Sequence, residues 1–176
     1  MTRSSHGGVA RRRRHSLWGC TASLPVVALA VSVGLSARQP GPPPAVVTWT
    51  LEAPASVRPA QVFAATLKAS VVAGWKFYAM EQVVEGPRPL LVTTPDPAFV
   101  LAGPVRPDAP PRSVTDTIWS AVVAYHDRTT TFRVPLRPSP AAGPRVIQLK
   151  VRFQACSDDV CLRPATLTVT RPVLIE

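Results

Sequence analysis

The sequence predicts an all-β protein, a two-sheet antiparallel β-sandwich preceded by an N-terminal signal or anchor segment. Three observations predict it. Twenty-one prolines in 176 residues oppose a helical protein, because proline lacks the backbone donor that a helix interior needs and its ring clashes with the preceding turn. Charged residues make up only 17% of the chain, and Val, Thr, Pro and Ala dominate, a mixture suited to short strands joined by proline-rich turns. Apolar residues recur with period two in one run after another, and no stretch shows a convincing helical period. A small barrel is the other architecture such strands allow.

Taken in order, residues 46–52 form the first run. Residues 61–72 follow, with Phe63, Ala65, Leu67, Ala69 and Val71 on one face. Gly74 breaks that run, and residues 75–79 continue it as a strand or bulged extension. Residues 89–94 and 99–102 are shorter candidates, and residues 103–117, with four prolines, read as a long loop. Residues 118–125 and 129–136 flank His126, Asp127 and Arg128, which read as a hairpin turn. The clearest strand is 145–155, where Ile147, Leu149, Val151, Phe153 and Ala155 point one way and Gln148, Lys150, Arg152 and Gln154 the other. Such alternation is what a half-buried strand requires, since successive side chains face opposite sides. Residues 165–170 close the set. With 46% hydrophobic residues the chain has enough apolar material for a core.

The net charge of +10 suggests nucleic acid only until it is located. Arg3 and Arg11 to Arg14 lie in the first 37 residues, where no acidic residue occurs; beyond them fifteen basic residues face ten acidic ones, a net of +5. These charges are scattered singly and no recognition motif accompanies them, so nucleic-acid binding is not expected. The arginine run, the apolar stretch from Leu17 to about Leu35 and the small residues after it describe a secretory signal. The stretch is also nearly long enough to span a bilayer, so an uncleaved anchor is the alternative. The expected organisation is a signal peptide or anchor over residues 1–37, a proline-rich linker over 38–45, and one sandwich domain over 46–176. In either case the domain is exported.

Export gives meaning to the cysteines. Cys20 falls within the leader, which leaves Cys156 and Cys161 in a compartment where a pair can form a disulfide. Alternation along the preceding strand puts Cys156 on the polar side, and Ser157, Asp158, Asp159 and Val160 form a tight turn to Cys161. Three readings compete. A structural disulfide is one, although so short a ring stabilises by only about 2 kcal/mol in the chain-entropy model. A metal site is another, but zinc asks for three or four ligands and nothing places His126, the one histidine beyond the leader, nearby. The third is a redox-active pair, since an accessible disulfide at a strand edge is the labile kind. Asp158 and Asp159 work against a thiolate there. The residues alone leave the staple and the exchange pair both open.

The segment Val151-Arg-Phe-Gln-Ala-Cys-Ser-Asp-Asp-Val-Cys-Leu-Arg-Pro164 closely resembles the cysteine signature of the N-terminal periplasmic domain of the thiol:disulfide interchange protein DsbD. Gly74-Trp-Lys-Phe-Tyr78 resembles a second hallmark of that family, and the resemblance extends over about residues 46–172. It implies an immunoglobulin-like sandwich that relays electrons through the Cys156–Cys161 disulfide, with no other cofactor. It implies that Cys161 forms the mixed disulfide with a client and Cys156 resolves it. Tyr78 would line the site, and a cap loop around Asp116, with Trp119 or Ile118 over the pair, would shield it. Read without the resemblance, Tyr78 and Trp119 are core or rim residues and Asp116 a solvated turn residue. The implied partners are thioredoxin-fold proteins and a separate transmembrane electron carrier as reductants, and periplasmic disulfide isomerases or cytochrome c maturation factors as clients. The implied location is the periplasm. The alternative is a non-enzymatic binding or assembly module of the same fold, with a structural disulfide.

Overall fold

The structure is a computed structural model that describes residues 45–81 and 86–176. The leader, Cys20 and all of the proline-rich linker except Ala45 lie outside the described residues. Within them there is no helix, and thirteen strands carry the fold. They are β1 (Val47–Glu52), β2 (Ser56–Val57), β3 (Phe63–Val71), β4 (Lys76–Tyr78), β5 (Leu91–Thr93), β6 (Phe99–Leu101) and β7 (Arg106–Pro107). The chain continues with β8 (Arg112–Asp116), β9 (Ala121–His126), β10 (Thr130–Pro138), β11 (Gly143–Phe153), β12 (Ala155–Cys156) and β13 (Ala165–Ile175).

Three sheets result. The first runs β1-β3-β10-β6, with β7 also paired to β10; the second runs β2-β13-β11-β5; the third runs β12-β4-β9-β8. Period-two patterning explains the first two. Trp49 and Leu51 on β1, Leu67 on β3 and Phe132, Val134 and Leu136 on β10 are buried, as are Ile147, Leu149 and Val151 on β11, and all belong to one core cluster. Shortening one such fully buried side chain to alanine costs about 2–5 kcal/mol. At the third sheet Phe77 enters this cluster, its ring centroid 5.2 Å from that of Trp49. The all-β sandwich expected from the sequence is the observed architecture.

The third sheet holds the departures from the sequence reading. Gly74 adopts a left-handed backbone (φ 81°), which glycine tolerates without steric cost. The chain turns there, with the Trp75 amide donating to the Val72 carbonyl at 3.0 Å. Residues 76–78 therefore do not extend β3 but start β4 in a different sheet. The expected long loop at 103–117 contains β7 and β8, and β8 pairs with β9 in a hairpin whose register closes at Asp116 and Ala121. His126 is no turn residue. It is buried at the end of β9, opposite Phe77 on β4, and the next three residues carry the chain across to β10 in another sheet.

Candidate functional site

Alternation along β11 ends at Phe153. Residues 153–156 are buried four in a row, because the chain leaves β11 and re-pairs as β12 with β4 in the third sheet. Gln154 marks the switch. Its buried side-chain carbonyl accepts from the Arg88 amide at 2.9 Å, and its amide donates to the Leu162 carbonyl at 3.2 Å. Two backbone groups from separate loops are thus satisfied at the point where the strand changes sheets. The expected polar-side position of Cys156 is corrected here: its exposure is 0%.

Cys156 and Cys161 form a disulfide and also face each other as an isolated antiparallel bridge. The connecting turn is tight. The Ser157 amide donates to the Val160 carbonyl at 2.8 Å, while the Ser157 hydroxyl accepts from the Asp159 and Val160 amides at 3.2 and 3.1 Å. Cys161 is partly exposed, flanked by Val160 and Leu162, which are both exposed. The two residues therefore differ: Cys156 is sealed in the interior, whereas Cys161 is partly exposed.

Around them lies a small cluster separate from the main core, in which Tyr78, Val123 and Cys156 are buried and Trp119, Tyr125 and Cys161 pack against them. Pairing explains the grouping. Phe77 points to the main core, so Lys76 and Tyr78 point to the opposite face, where Cys156 lies opposite Lys76 and Tyr125 opposite Tyr78. The 117–120 turn of the β8–β9 hairpin brings Trp119 over this face. Its indole N–H donates to the Tyr78 hydroxyl at 3.0 Å, and that hydroxyl donates to Asp116 Oδ2 at 3.2 Å. The hydroxyl also stands 4.0 Å from Cys161 Sγ. It has one proton, and the buried carboxylate receives it.

Asp116 is only 3% exposed, which corrects its reading as a solvated turn residue. Its Oδ1 accepts from the Ile118 and Trp119 amides at 2.9 and 3.3 Å and so shapes the cap turn. Its Oδ2 lies 3.5 Å from Lys76 Nζ. Burial, partly offset by the Trp119 N–H and reinforced by the charge and hydrogen bond of Asp116, pushes the Tyr78 phenol up to about 12. Tyr78 therefore stays protonated as a donor at any physiological pH.

The structure brings Cys156, Cys161, Tyr78, Asp116 and Trp119 to one face; Ile118, the other cap candidate, is 42% exposed. Sequence reasoning did not single out Lys76 or Tyr125, which carried no signal before the pairing was known. Gln154 stood in the cysteine signature but was placed on the polar face of the strand; that placement is corrected, since the residue is buried. Among the described residues no three His, Cys, Asp or Glu side chains stand together as a metal site. A cleft of about 440 Å³ lined by Met80, Val105, Val122, Val123 and His126 includes none of the five site residues.

A β-sandwich with a disulfide between one buried and one partly exposed cysteine, beside a hairpin turn, fits a domain of the thiol–disulfide exchange class. The chain belongs to the DsbD N-terminal family: the family model described as "Thiol:disulfide interchange protein DsbD, N-terminal" matches residues 45–172. The crystal structure of the Neisseria meningitidis DsbD N-terminal domain in the reduced form is similar, with a TM-score of 0.51 over 77% of this chain and 94% of that one. At 12% identity this likeness is one of fold. No curated protein sequence matches the chain.

Proposed function

We propose that this chain is an exported thiol–disulfide exchange domain that relays two electrons at a time from a separate reductant to client proteins through Cys156 and Cys161. The observation that carries the reading is the unequal exposure of the two disulfide-bonded residues, Cys156 buried and Cys161 partly exposed. A reductant's thiolate attacks Cys161 Sγ, the Cys156–Cys161 bond breaks, and the electron pair leaves on Cys156. A second thiol of the reductant then attacks the mixed disulfide and departs oxidised, leaving both cysteines reduced. Toward a client the order reverses: Cys161 attacks, and Cys156 resolves. Tyr78 and Asp116 line the site and the Trp119 turn lies over it, so the turn restricts how partners approach the sulfurs. The partners that fit are thioredoxin-fold proteins, with a separate transmembrane electron carrier upstream and periplasmic disulfide isomerases or cytochrome c maturation factors as clients. The location that fits is the periplasm, where an uncleaved leader would tether the domain to the inner membrane.

Trapping with purified thioredoxin whose second cysteine is replaced by serine, and whose remaining thiol is activated as a mixed disulfide with thionitrobenzoate, tests the residue roles. In full-length protein carrying Cys20→Ser, adding Cys156→Ser should accumulate a mixed disulfide on non-reducing gels, and adding Cys161→Ser should abolish it. If both variants behave like the parent, the relay reading fails and the binding module with a structural disulfide takes its place.

A further inference from the structure

The site contains a cation that the exchange chemistry above leaves without a task. Lys76 is the antiparallel neighbour of Cys156, and directly opposed residues have Cβ atoms about 4.5–5.5 Å apart. Its side chain is only 13% exposed, with Nζ 3.5 Å from Asp116 Oδ2, 3.3 Å from Asp158 Oδ1 and 5.3 Å from the centre of the Tyr125 ring. A buried ammonium is unfavourable unless paired. One of its two carboxylates, however, is a weak partner: the Asp158 side chain is 96% exposed, and exposed ion pairs contribute little. The ammonium is held between two hairpins, 3.5 Å from buried Asp116 and hydrogen-bonded at 3.3 Å to exposed Asp158.

Exchange places negative charge on Cys156 twice per cycle, once as leaving group and once as resolving nucleophile. That sulfur is fully buried, where loss of hydration disfavours a thiolate, and the neighbouring Asp116 carboxylate opposes it further. The other cation of this sheet face, Arg112, is joined to Asp127 at 2.6 Å and lies opposite Tyr125 on β8. Lys76 is the group positioned to balance the charge.

We propose that Lys76 is a positioning residue for thiol–disulfide exchange, its ammonium turning from Asp158 toward the Cys156 sulfur when the disulfide opens and stabilising the thiolate there. The step balances: the attacking thiolate bonds to Cys161, the electron pair of the broken S–S bond goes to Cys156, and no proton moves. A better-stabilised leaving thiolate departs faster, so Lys76 sets the rate at which the pair opens and the ease with which Cys156 later releases a partner. The proposal rests on the exchange reading, yet its test needs no partner.

The test is the ionisation of Cys156 as the single thiol in full-length protein carrying Cys20→Ser and Cys161→Ser, read from the pH dependence of thiolate absorbance. Lys76→Gln should move the midpoint upward by on the order of one unit, the size expected for loss of an opposite charge at this range. Lys76→Arg should restore it to near the parent. Asp158→Asn, at an exposed position that tolerates substitution, should move it downward by freeing the ammonium. A rise below about half a unit in Lys76→Gln, or no downward movement in Asp158→Asn, overturns the proposal. Since thioredoxin trapping is scored separately, failure of the relay and failure of the lysine's role are told apart.

Discussion

Replacing Tyr78 by phenylalanine removes one oxygen and leaves the ring, which is fully buried, in place. The lost oxygen donates to the buried Asp116 carboxylate at 3.2 Å and accepts from the Trp119 indole at 3.0 Å. A hydrogen bond to a charged group contributes about 1.5–3 kcal/mol and a neutral one about 0.5–1.5 kcal/mol. Asp116 keeps Lys76 and two backbone amides, so it is not orphaned, and the expected loss is about 2–4 kcal/mol. For a chain of this size that lowers Tm by roughly 5–15 °C. Urea and thermal unfolding of the oxidised protein, followed by circular dichroism, measure it. The pH profile adds a signature that packing alone does not give. Because the folded phenol is raised to about 12 from the ordinary 10.0, the native state holds its proton more tightly. The associated stability is complete below pH 10 and is lost as pH rises from 10 through about 12. Tyr78→Phe should remove that alkaline limb. A loss below about 0.5 kcal/mol, or an unchanged alkaline limb, refutes the hydrogen-bonded network.

Burial lowers the ionisation of His126 below 6.5, with Asp108 and Asp127 partly opposing the shift. The unfolded chain therefore binds a proton that the native state resists, and stability should fall as pH drops below 6.5; His126→Phe should flatten that slope in urea titrations across pH 5–8. Gln154→Ala should cost about 2–4 kcal/mol, since it unpairs the Arg88 amide and the Leu162 carbonyl together; urea unfolding checks it. Trp119→Ala should speed reduction of the disulfide by dithiothreitol several-fold, because Trp119 packs against the buried cluster that contains Cys156. An unchanged rate would show that the 117–120 turn does not shield the pair.

Much of the fold was legible because burial follows local alternation. In β11 every second residue from Ile147 to Phe153 meets the core, as its sequence alone announces. Legibility ended where the chain changes sheets. Nothing local to Gln154 states that β12 will pair with β4, yet that pairing turns Cys156 from the polar side into the interior. His126 was misread for the same reason: the strands around it were foreseeable, but the hairpin rule assumes that neighbouring strands pair, and β9 and β10 belong to different sheets. Strand β8 was hidden by its setting, since its pattern shows four exposed residues before Asp116 and offers no apolar period. Spacing and export singled out the two cysteines, and the family resemblance named Tyr78, Asp116 and Trp119 beside them; the structure brings these five to one face. Lys76 became visible only once register placed it opposite Cys156.

The central claim, that Cys156 and Cys161 exchange electrons rather than staple the fold, is tested most directly by a redox titration. Full-length protein carrying Cys20→Ser is equilibrated in glutathione and dithiothreitol buffers and its free thiols are counted by alkylation and mass spectrometry. A relay pair should titrate among the thioredoxin-fold oxidoreductases, at about −120 to −270 mV. A midpoint below about −300 mV, the range of structural disulfides, would contradict it.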